Sequence, residues 1–329
     1  MRIAVLGAGA WGTALASVLA PRHPTLLWAR DAAQAAAMQA ARCNPRYLPD
    51  IGLAAELTVV GELDTALAHA AGGLLFLAVP LGALRAVLRR LHESGFVGSC
   101  AWLCKGLERD SGLLAHQIAA AEVPGLPAGA LAGPSFAEEV ARGLPTALVA
   151  AGSASFCATV TEAAHGGNLR VYSSDDLVGV EIGGAVKNVM AIAAGICDAM
   201  ALGANARAAL VTRGLSETRR LGEALGARGE TFTGLTGLGD LLLTCTGDLS
   251  RNRRIGIALG QGVALERAMA GLGHVAEGVW SAAAIVARAH AAGVEMPITE
   301  AVCAVLDGRL SARDALGRLL ARDPRAEQS

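Results

Sequence analysis

The run Gly7-x-Gly9-x-x-Gly12 constrains the fold of this chain more than any other feature, because of what stands on either side of it. A short apolar, β-branched stretch ends at Leu6, and residues 13–19 have helical character, so the order is strand, glycine turn, helix. That order opens a βαβ unit. Gly7 permits the tight turn, Gly9 lets backbone approach a pyrophosphate and Gly12 lets helix pack close to strand, while free N–H groups at the helix N-terminus face the phosphates. A second strand at residues 25–28 follows at the right distance, so the motif reads as a dinucleotide site rather than a merely structural turn.

Arg30 and Asp31 end that second strand, where the adenosine ribose is read in such folds. An acidic side chain there accepts from the 2′-hydroxyl of NAD, and an arginine accommodates the 2′-phosphate of NADP. Arg30 comes first and can stack on adenine or pair with phosphate, whereas Asp31 can also cap a helix beginning at Ala32. NADPH is the expected cofactor, with NADH as the alternative.

Further strands are expected at residues 57–60, 74–79, 101–103, 130–132 and 146–150, with helices such as 81–92 and 113–122 between several of them. This alternation predicts an α/β fold built on a Rossmann-type, doubly wound, mostly parallel sheet. Beyond Ser174-Asp175-Asp176 the texture changes and helices dominate. The expectation is a dinucleotide-binding domain over 1–178 and an all-α substrate domain over 179–329, with a polar tail after Asp323 that frays. A length of 329 residues suits two cores, and with aromatics at 3% those cores must be made of Ala, Leu and Val.

Composition excludes several partners. A net charge of −1 with no basic tract argues against nucleic acid. Met1-Arg2 passes straight into the first strand with no signal-peptide pattern, and the longest uncharged stretch, 143–161, carries Pro145, Gly152 and several hydroxyls. A cytoplasmic protein without stable membrane insertion is expected. Seven cysteines, odd in number and scattered, lack metal spacing, so no metal is expected and they read as reduced core residues. Cys100 and Cys104 flank a conceivable nucleophile site but have no histidine base nearby in sequence.

Lys187 stands alone in the apolar run Glu181-Ile-Gly-Gly-Ala-Val-Lys-Asn188. A helical side chain leans toward the N-terminus, so its ammonium should hang over Gly183 and Gly184, where missing side chains leave space for a small molecule. Ligands in open α/β sheets bind beyond the carboxyl ends of the strands, which directs attention to Val79-Pro80, to Lys105-Gly-Leu-Glu108 and to Gly133-Pro-Ser135-Phe-Ala137. Asp240 reads as an N-cap with Thr244 one turn on. Ser250-Arg251-Asn252-Arg253-Arg254 opens a helix through 255–259, and a hydroxyl, arginines and free amides at a positive dipole end make an anion site suited to a substrate phosphate. Asn205-Ala-Arg207 reads as the cap and first turn of a structural helix.

Together, Gly7-Ala-Gly-Ala-Trp-Gly-Thr-Ala-Leu-Ala16, Asn44-Pro-Arg-Tyr-Leu-Pro49, Lys105-Gly-Leu-Glu108, Gly133-Pro-Ser-Phe-Ala-Glu-Glu-Val140, Gly184-Ala-Val-Lys-Asn-Val189, Asn205-Ala-Arg-Ala-Ala-Leu210, Gly237-Leu-Gly-Asp-Leu241 and Ser250-Arg-Asn-Arg-Arg254 resemble the bacterial NAD(P)-dependent glycerol-3-phosphate dehydrogenases, in unbroken order to about Glu277. The resemblance implies reversible reduction of dihydroxyacetone phosphate to sn-glycerol 3-phosphate for phospholipid synthesis. It implies that Lys187 is the proton donor or acceptor. Substrate contacts are implied for Lys105, Gly133, Ser135, Asp240, Ser250, Arg251 and Asn252, and cofactor contacts for Ala10, Trp11, Arg30, Lys105, Ala137, Arg251, Val275 and Glu277. Ala10 replaces a serine often found in the glycine loop, leaving a backbone contact without a hydroxyl.

In that scheme hydride reaches the ketone carbon, Lys187 protonates the alkoxide-like oxygen, Lys105 adds positive charge, Asp240 orients Lys187 and keeps it charged, and Arg251 takes the phosphate. Two rivals are a β-hydroxyacid dehydrogenase, whose lysine is followed by asparagine four residues later where this chain has Ala191, and a cofactor-binding regulatory protein without turnover. A homodimer is the default assembly.

Overall fold

A computed structural model of the chain describes residues 1–272 and 276–322, without the Leu272 side chain. The strands are β1 (Ile3–Leu6), β2 (Thr25–Trp28), β3 (Cys43–Asn44), β4 (Leu48–Gly52), β5 (Thr58–Val60), β6 (Leu74–Leu77), β7 (Ser99–Trp102), β8 (Ala128–Ala132), β9 (Thr146–Ala151) and β10 (Leu169–Ser174). Eight of them form one sheet in the order β10-β9-β8-β7-β6-β1-β2-β5, and β3 and β4 form a separate antiparallel hairpin. All neighbours in the large sheet are parallel except β8 and β9. Expected strand ends move by one to two residues, and the sheet extends to β10, an edge strand that sequence reading leaves unassigned.

Between the strands lie α1 (Ala10–Leu19), α2 (Ala32–Ala41), α3 (Leu63–Ala70), α4 (Leu81–Glu93), α5 (Ala115–Glu122), α6 (Ala137–Ala141) and α7 (Ala154–Ala164). Both faces of the sheet are covered. On β1, Ile3 and Val5 enter a core with Leu15, Leu27 and Phe76, while Ala4 and Leu6 enter a second core with Leu75, Leu84 and Trp102. Continuous burial along a strand is the mark of a parallel sheet with helices on both sides.

From Leu177 the described chain is helical: α8 (Leu177–Ala199), α9 (Gly203–Ala224), α10 (Asp240–Thr246), α11 (Arg251–Gly260), α12 (Leu265–Leu272), α13 (Glu277–Ala291), α14 (Pro297–Leu306) and α15 (Ala312–Leu320), with a 3-10 turn at Gly229–Thr233 and a π-helical turn at Leu235–Gly239. Among the described residues α8 alone has the length and apolarity to cross a membrane, but 89% of its apolar window is buried inside the protein, so packing accounts for its composition. Its close partner is α11: a Cβ on Gly195 would lie 2.0 Å from the Arg253 carbonyl oxygen, and one on Gly256 would lie 2.0 Å from that of Ile192. Asn205 is not a cap, because α9 starts two residues earlier and Leu202 holds the cap position, while Arg207 pairs with Asp198 at 3.0 Å.

Candidate active site

The three motif glycines have three different surroundings. Gly7 adopts φ +120°, where a side chain is strained, and its Cβ would lie 2.5 Å from the Ala78 carbonyl oxygen. A Cβ on Gly12 would lie 2.0 Å from the Gly7 carbonyl oxygen and 2.8 Å from the Ala78 Cβ, so only glycine lets α1 sit so close to β1 and β6. Gly9 has open space within 4 Å and forms the N-cap of α1 without a side-chain cap, which leaves the Ala10 and Trp11 end of the helix able to offer backbone donors. The helix therefore begins inside the glycine motif rather than at Thr13. Asn44, fully buried, braces the loop by donating to the Ala8 carbonyl at 3.1 Å and the Thr13 hydroxyl at 2.8 Å. Sequence reasoning quotes Asn44 in a motif without giving it this task; a polar residue in a short hairpin carries no local signal of its partners.

Trp11 ties that loop to the segment after β8, its Nε1 donating to the Ser135 carbonyl and hydroxyl oxygens at 3.1 Å each, while the Ser135 hydroxyl donates to the Gly133 carbonyl at 3.1 Å. Gly133 has φ +143°, and Ala137 opens α6 behind a Phe136 cap that makes no side-chain bond.

At the carboxyl ends of β7 and β8 the structure brings Lys105, Lys187 and Asp240 together. Lys105 Nζ lies 2.6 Å from Asp240 Oδ2 and Lys187 Nζ donates to Asp240 Oδ1, so a carboxylate whose side chain is only 1% exposed holds two ammonium groups. Lys105 Nζ also approaches the Gly133 carbonyl at 3.5 Å. Asp240 is the first residue of α10, not its cap: Gly239 takes that position, and the π-helical turn before it delivers the carboxylate to the lysines. Thr244 donates its hydroxyl back to the Asp240 carbonyl at 2.5 Å, as i to i−4 spacing allows. The glycines beneath Lys187 leave no ligand space. A Cβ on Gly183 would lie 2.4 Å from the Thr236 carbonyl oxygen of the π-helical turn, and one on Gly184 would lie 3.3 Å from Lys105 Cγ, so both admit protein neighbours instead.

Burial pulls the Lys187 ammonium down to about 7, with Asp240 opposing the shift and the Lys105 charge adding to it. The expectation that Asp240 simply keeps Lys187 charged is therefore modified, because desolvation outweighs it. Around Lys105 burial acts the same way, but Asp240 prevails and holds its pKa above the ordinary lysine value. Burial would raise the Asp240 carboxyl, and the two lysines overcome it and hold it low. Partly buried Glu277, at the start of α13, is raised by burial against the charges of Arg251, Lys105 and Lys187. Burial also pushes the Cys100 thiol up to about 12 and Cys104 well above its ordinary value, so neither is a thiolate near neutrality.

At the N-terminus of α11 the three arginines part company. Arg253 pairs with Asp198 and Asp248, each at 2.8 Å, and Arg254 donates to the Asp248 carbonyl at 2.9 Å, so these two are absorbed by the protein's own acceptors. Arg251 is exposed. Ser250 caps the helix by accepting from the Arg253 amide at 3.3 Å. Asn252 is buried, donating to the Asn188 side chain at 3.0 Å and accepting from the Gly278 amide at 3.1 Å, which latches α11 to α8 and α13 beside Lys187. Arg30 is exposed after β2, whereas Asp31 spends its carboxylate on the α2 cap, accepting from the Ala33 and Gln34 amides. Val275 and the tail after Asp323 lie outside the described residues. Among the described residues no cluster of His, Cys, Asp and Glu could hold a metal.

Comparison with known proteins agrees with this architecture. Residues 2–158 match the model of the N-terminus of NAD-dependent glycerol-3-phosphate dehydrogenase, and residues 176–317 match that of its C-terminus. The chain is similar to the NAD(P)+ glycerol-3-phosphate dehydrogenase of Methylibium petroleiphilum, at 60% identity over 330 residues covering 99% of this chain and 98% of the relative. It is similar to that of Leptothrix cholodnii at 57% identity, covering 99% of this chain and all of the relative (100%). The crystal structure of glycerol-3-phosphate dehydrogenase from Coxiella burnetii superposes with a TM-score of 0.93 at 42% identity, covering 97% of this chain and 98% of that one. The chain belongs to the NAD-dependent glycerol-3-phosphate dehydrogenase family.

Proposed function

We propose that this chain catalyses reversible hydride transfer between NAD(P)H and dihydroxyacetone phosphate, giving sn-glycerol 3-phosphate for glycerophospholipid synthesis. The observation that carries the reading is the Lys105–Asp240–Lys187 cluster, two cations on one buried carboxylate beyond the ends of the strands.

The glycine loop fits a dinucleotide: Gly9 is open on the side a pyrophosphate would approach, and the first-turn amides of α1 have no side-chain cap. Gly7, Gly9, Ala10, Trp11 and Gly12 would hold the phosphates, with Ala137, Val275 and Glu277 further along the cofactor. When bound, the reduced nicotinamide supplies the hydride for the ketone carbon. Lys187 then gives the carbonyl oxygen its proton, an acid with pKa near neutrality being well matched to that task. Lys105 keeps positive charge beside the same oxygen, and Asp240 fixes the geometry of both lysines. Gly133 and Ser135 line the substrate, Arg251 receives its phosphate at the N-terminus of α11, and Ser250 and Asn252 hold that end in place. Exposed Arg30, beside an Asp31 already engaged as a cap, favours NADPH over NADH.

We divide the chain at about residue 178, a boundary supported by the end of β10 at Ser174 and the start of α8 at Leu177. It acts in the cytoplasm, where its seven free cysteines stay reduced, and pairs as a homodimer, the commonest closed assembly. The test is NADPH oxidation followed spectrophotometrically. Turnover with dihydroxyacetone phosphate, and little with unphosphorylated dihydroxyacetone, is expected; equal turnover on both would remove the phosphate site, and none on either would remove the activity.

A further inference from the structure

Lys187 is nearly sealed, its side chain 9% exposed, yet each ketone reduced takes one proton from it. A buried amine that discharges every turnover needs a way to be recharged. Trp102, at the end of β7, is 1% exposed, and its Nε1 faces the Glu181 carboxylate without reaching hydrogen-bond geometry to any group, an uncommon state for a buried donor. Beside it lies a cavity of about 10 Å³, room for a single water, walled by Trp102, Cys104, Lys105, Ala132 and Glu181. Glu181, from the first turns of α8, belongs to the same wall. Its carboxylate accepts from the His116 amide at 2.9 Å and meets His116 Nδ1 at 2.5 Å, and the His116 side chain is 27% exposed. Exchangeable groups thus lead from solvent through His116 to Glu181, which shares the cavity with Lys105, and Lys105 in turn pairs with Asp240 and its partner Lys187.

We infer that His116, Glu181 and one water held by Trp102 Nε1 form a proton inlet that recharges the Lys105–Lys187 pair, an inference that rests on Lys187 being the proton donor. The imidazolium of His116 passes its Nδ1 proton to Glu181. The discharged Lys187 amine takes a proton from Lys105, and the water at once refills Lys105 as it takes one from the Glu181 carboxyl, so that Lys105 is charged again before the next hydride transfer; His116 is refilled from solvent. Only O–H and N–H bonds change, and no electron moves. Burial raises the Glu181 carboxyl, which suits a group that must carry a proton in passing. The other ionisable group at this wall does not compete, since the Cys104 thiol is kept protonated by burial; Glu277, outside the wall, faces the charges of Arg251, Lys105 and Lys187.

His116→Gln in the full-length protein tests the inlet, since the residue is partly exposed and Gln can keep a hydrogen bond to Glu181, with thermal melting to check that the variant is folded. With NADPH and dihydroxyacetone phosphate, kcat should fall by about tenfold or more with KM and thermal midpoint little changed. The solvent deuterium isotope effect should rise, and imidazole added to the buffer should restore the rate in proportion to its concentration. Glu181→Gln should lose rate in a way that imidazole does not restore. Near-native kcat in His116→Gln, or a loss that imidazole leaves untouched with no change in isotope effect, overturns the inlet. Failure of the native protein to oxidise NADPH with dihydroxyacetone phosphate would instead overturn the activity on which it rests.

Discussion

Asp240 accepts from two lysines at once, and the consequences fall unequally on them. Lys105 stays charged, while burial brings Lys187 to about 7. With Lys187 as the proposed proton donor, reduction of the ketone requires its protonated form, so kcat/KM in that direction should fall as pH rises through about 7, and oxidation of glycerol 3-phosphate, which would use the neutral amine, should rise through the same value. Paired pH profiles check this; two curves without opposite slopes there would contradict it. A second residue-scale prediction concerns Arg30. Because Asp31 is committed to capping α2, Arg30→Ala should raise the KM for NADPH selectively and leave that for NADH near native. Steady-state kinetics with both coenzymes measure it, and an unchanged preference would refute the assignment.

The elements show where sequence reasoning ends. The β1–α1–β2 unit and the start of α2 were legible because their signals are local: a β-branched run, three glycines at fixed spacing and a capping Asp31. Edge strand β10 was not, since Leu169 and Val171 alternate with exposed residues in a short stretch just before the helical half. Nor was the crossing of α8 and α11, where Gly195 and Gly256 let the backbones touch; each reads alone as a weak helix residue until the other is placed against it. Gly256→Ala should cost stability by overpacking, about 1–3 kcal/mol, and lower the thermal midpoint, with a larger loss than Gly317→Ala, whose Cβ meets nothing within 4 Å. Equal midpoints for the two variants would show that the close approach is not needed. The π-helical turn that delivers Asp240 likewise has no periodic signature, and the cap reading failed there because Asp at a helix start is usually a cap.

Over the whole molecule, the site depends on distance along the chain. Lys105 and Asp240 are 135 residues apart and Lys187 and Asp240 are 53 apart, so local pattern marks each residue as unusual without joining them; ordered motifs joined them through family resemblance. The fold then supplies the physical reason, bringing a strand end, the buried face of α8 and the start of α10 to one carboxylate. The central claim is that Lys187 is there for proton transfer and not for packing. Its folded pKa of about 7 lies below the ordinary 10.5, so the unfolded chain binds more protons between those values and the buried lysine costs stability at neutral pH. The most direct measurement is kcat beside thermal melting for Lys187→Met, which keeps much of the stem's shape and removes the charge. The account predicts a fall in kcat of about 10² to 10⁴ with melting unchanged or raised; near-native kcat in the folded variant would contradict it.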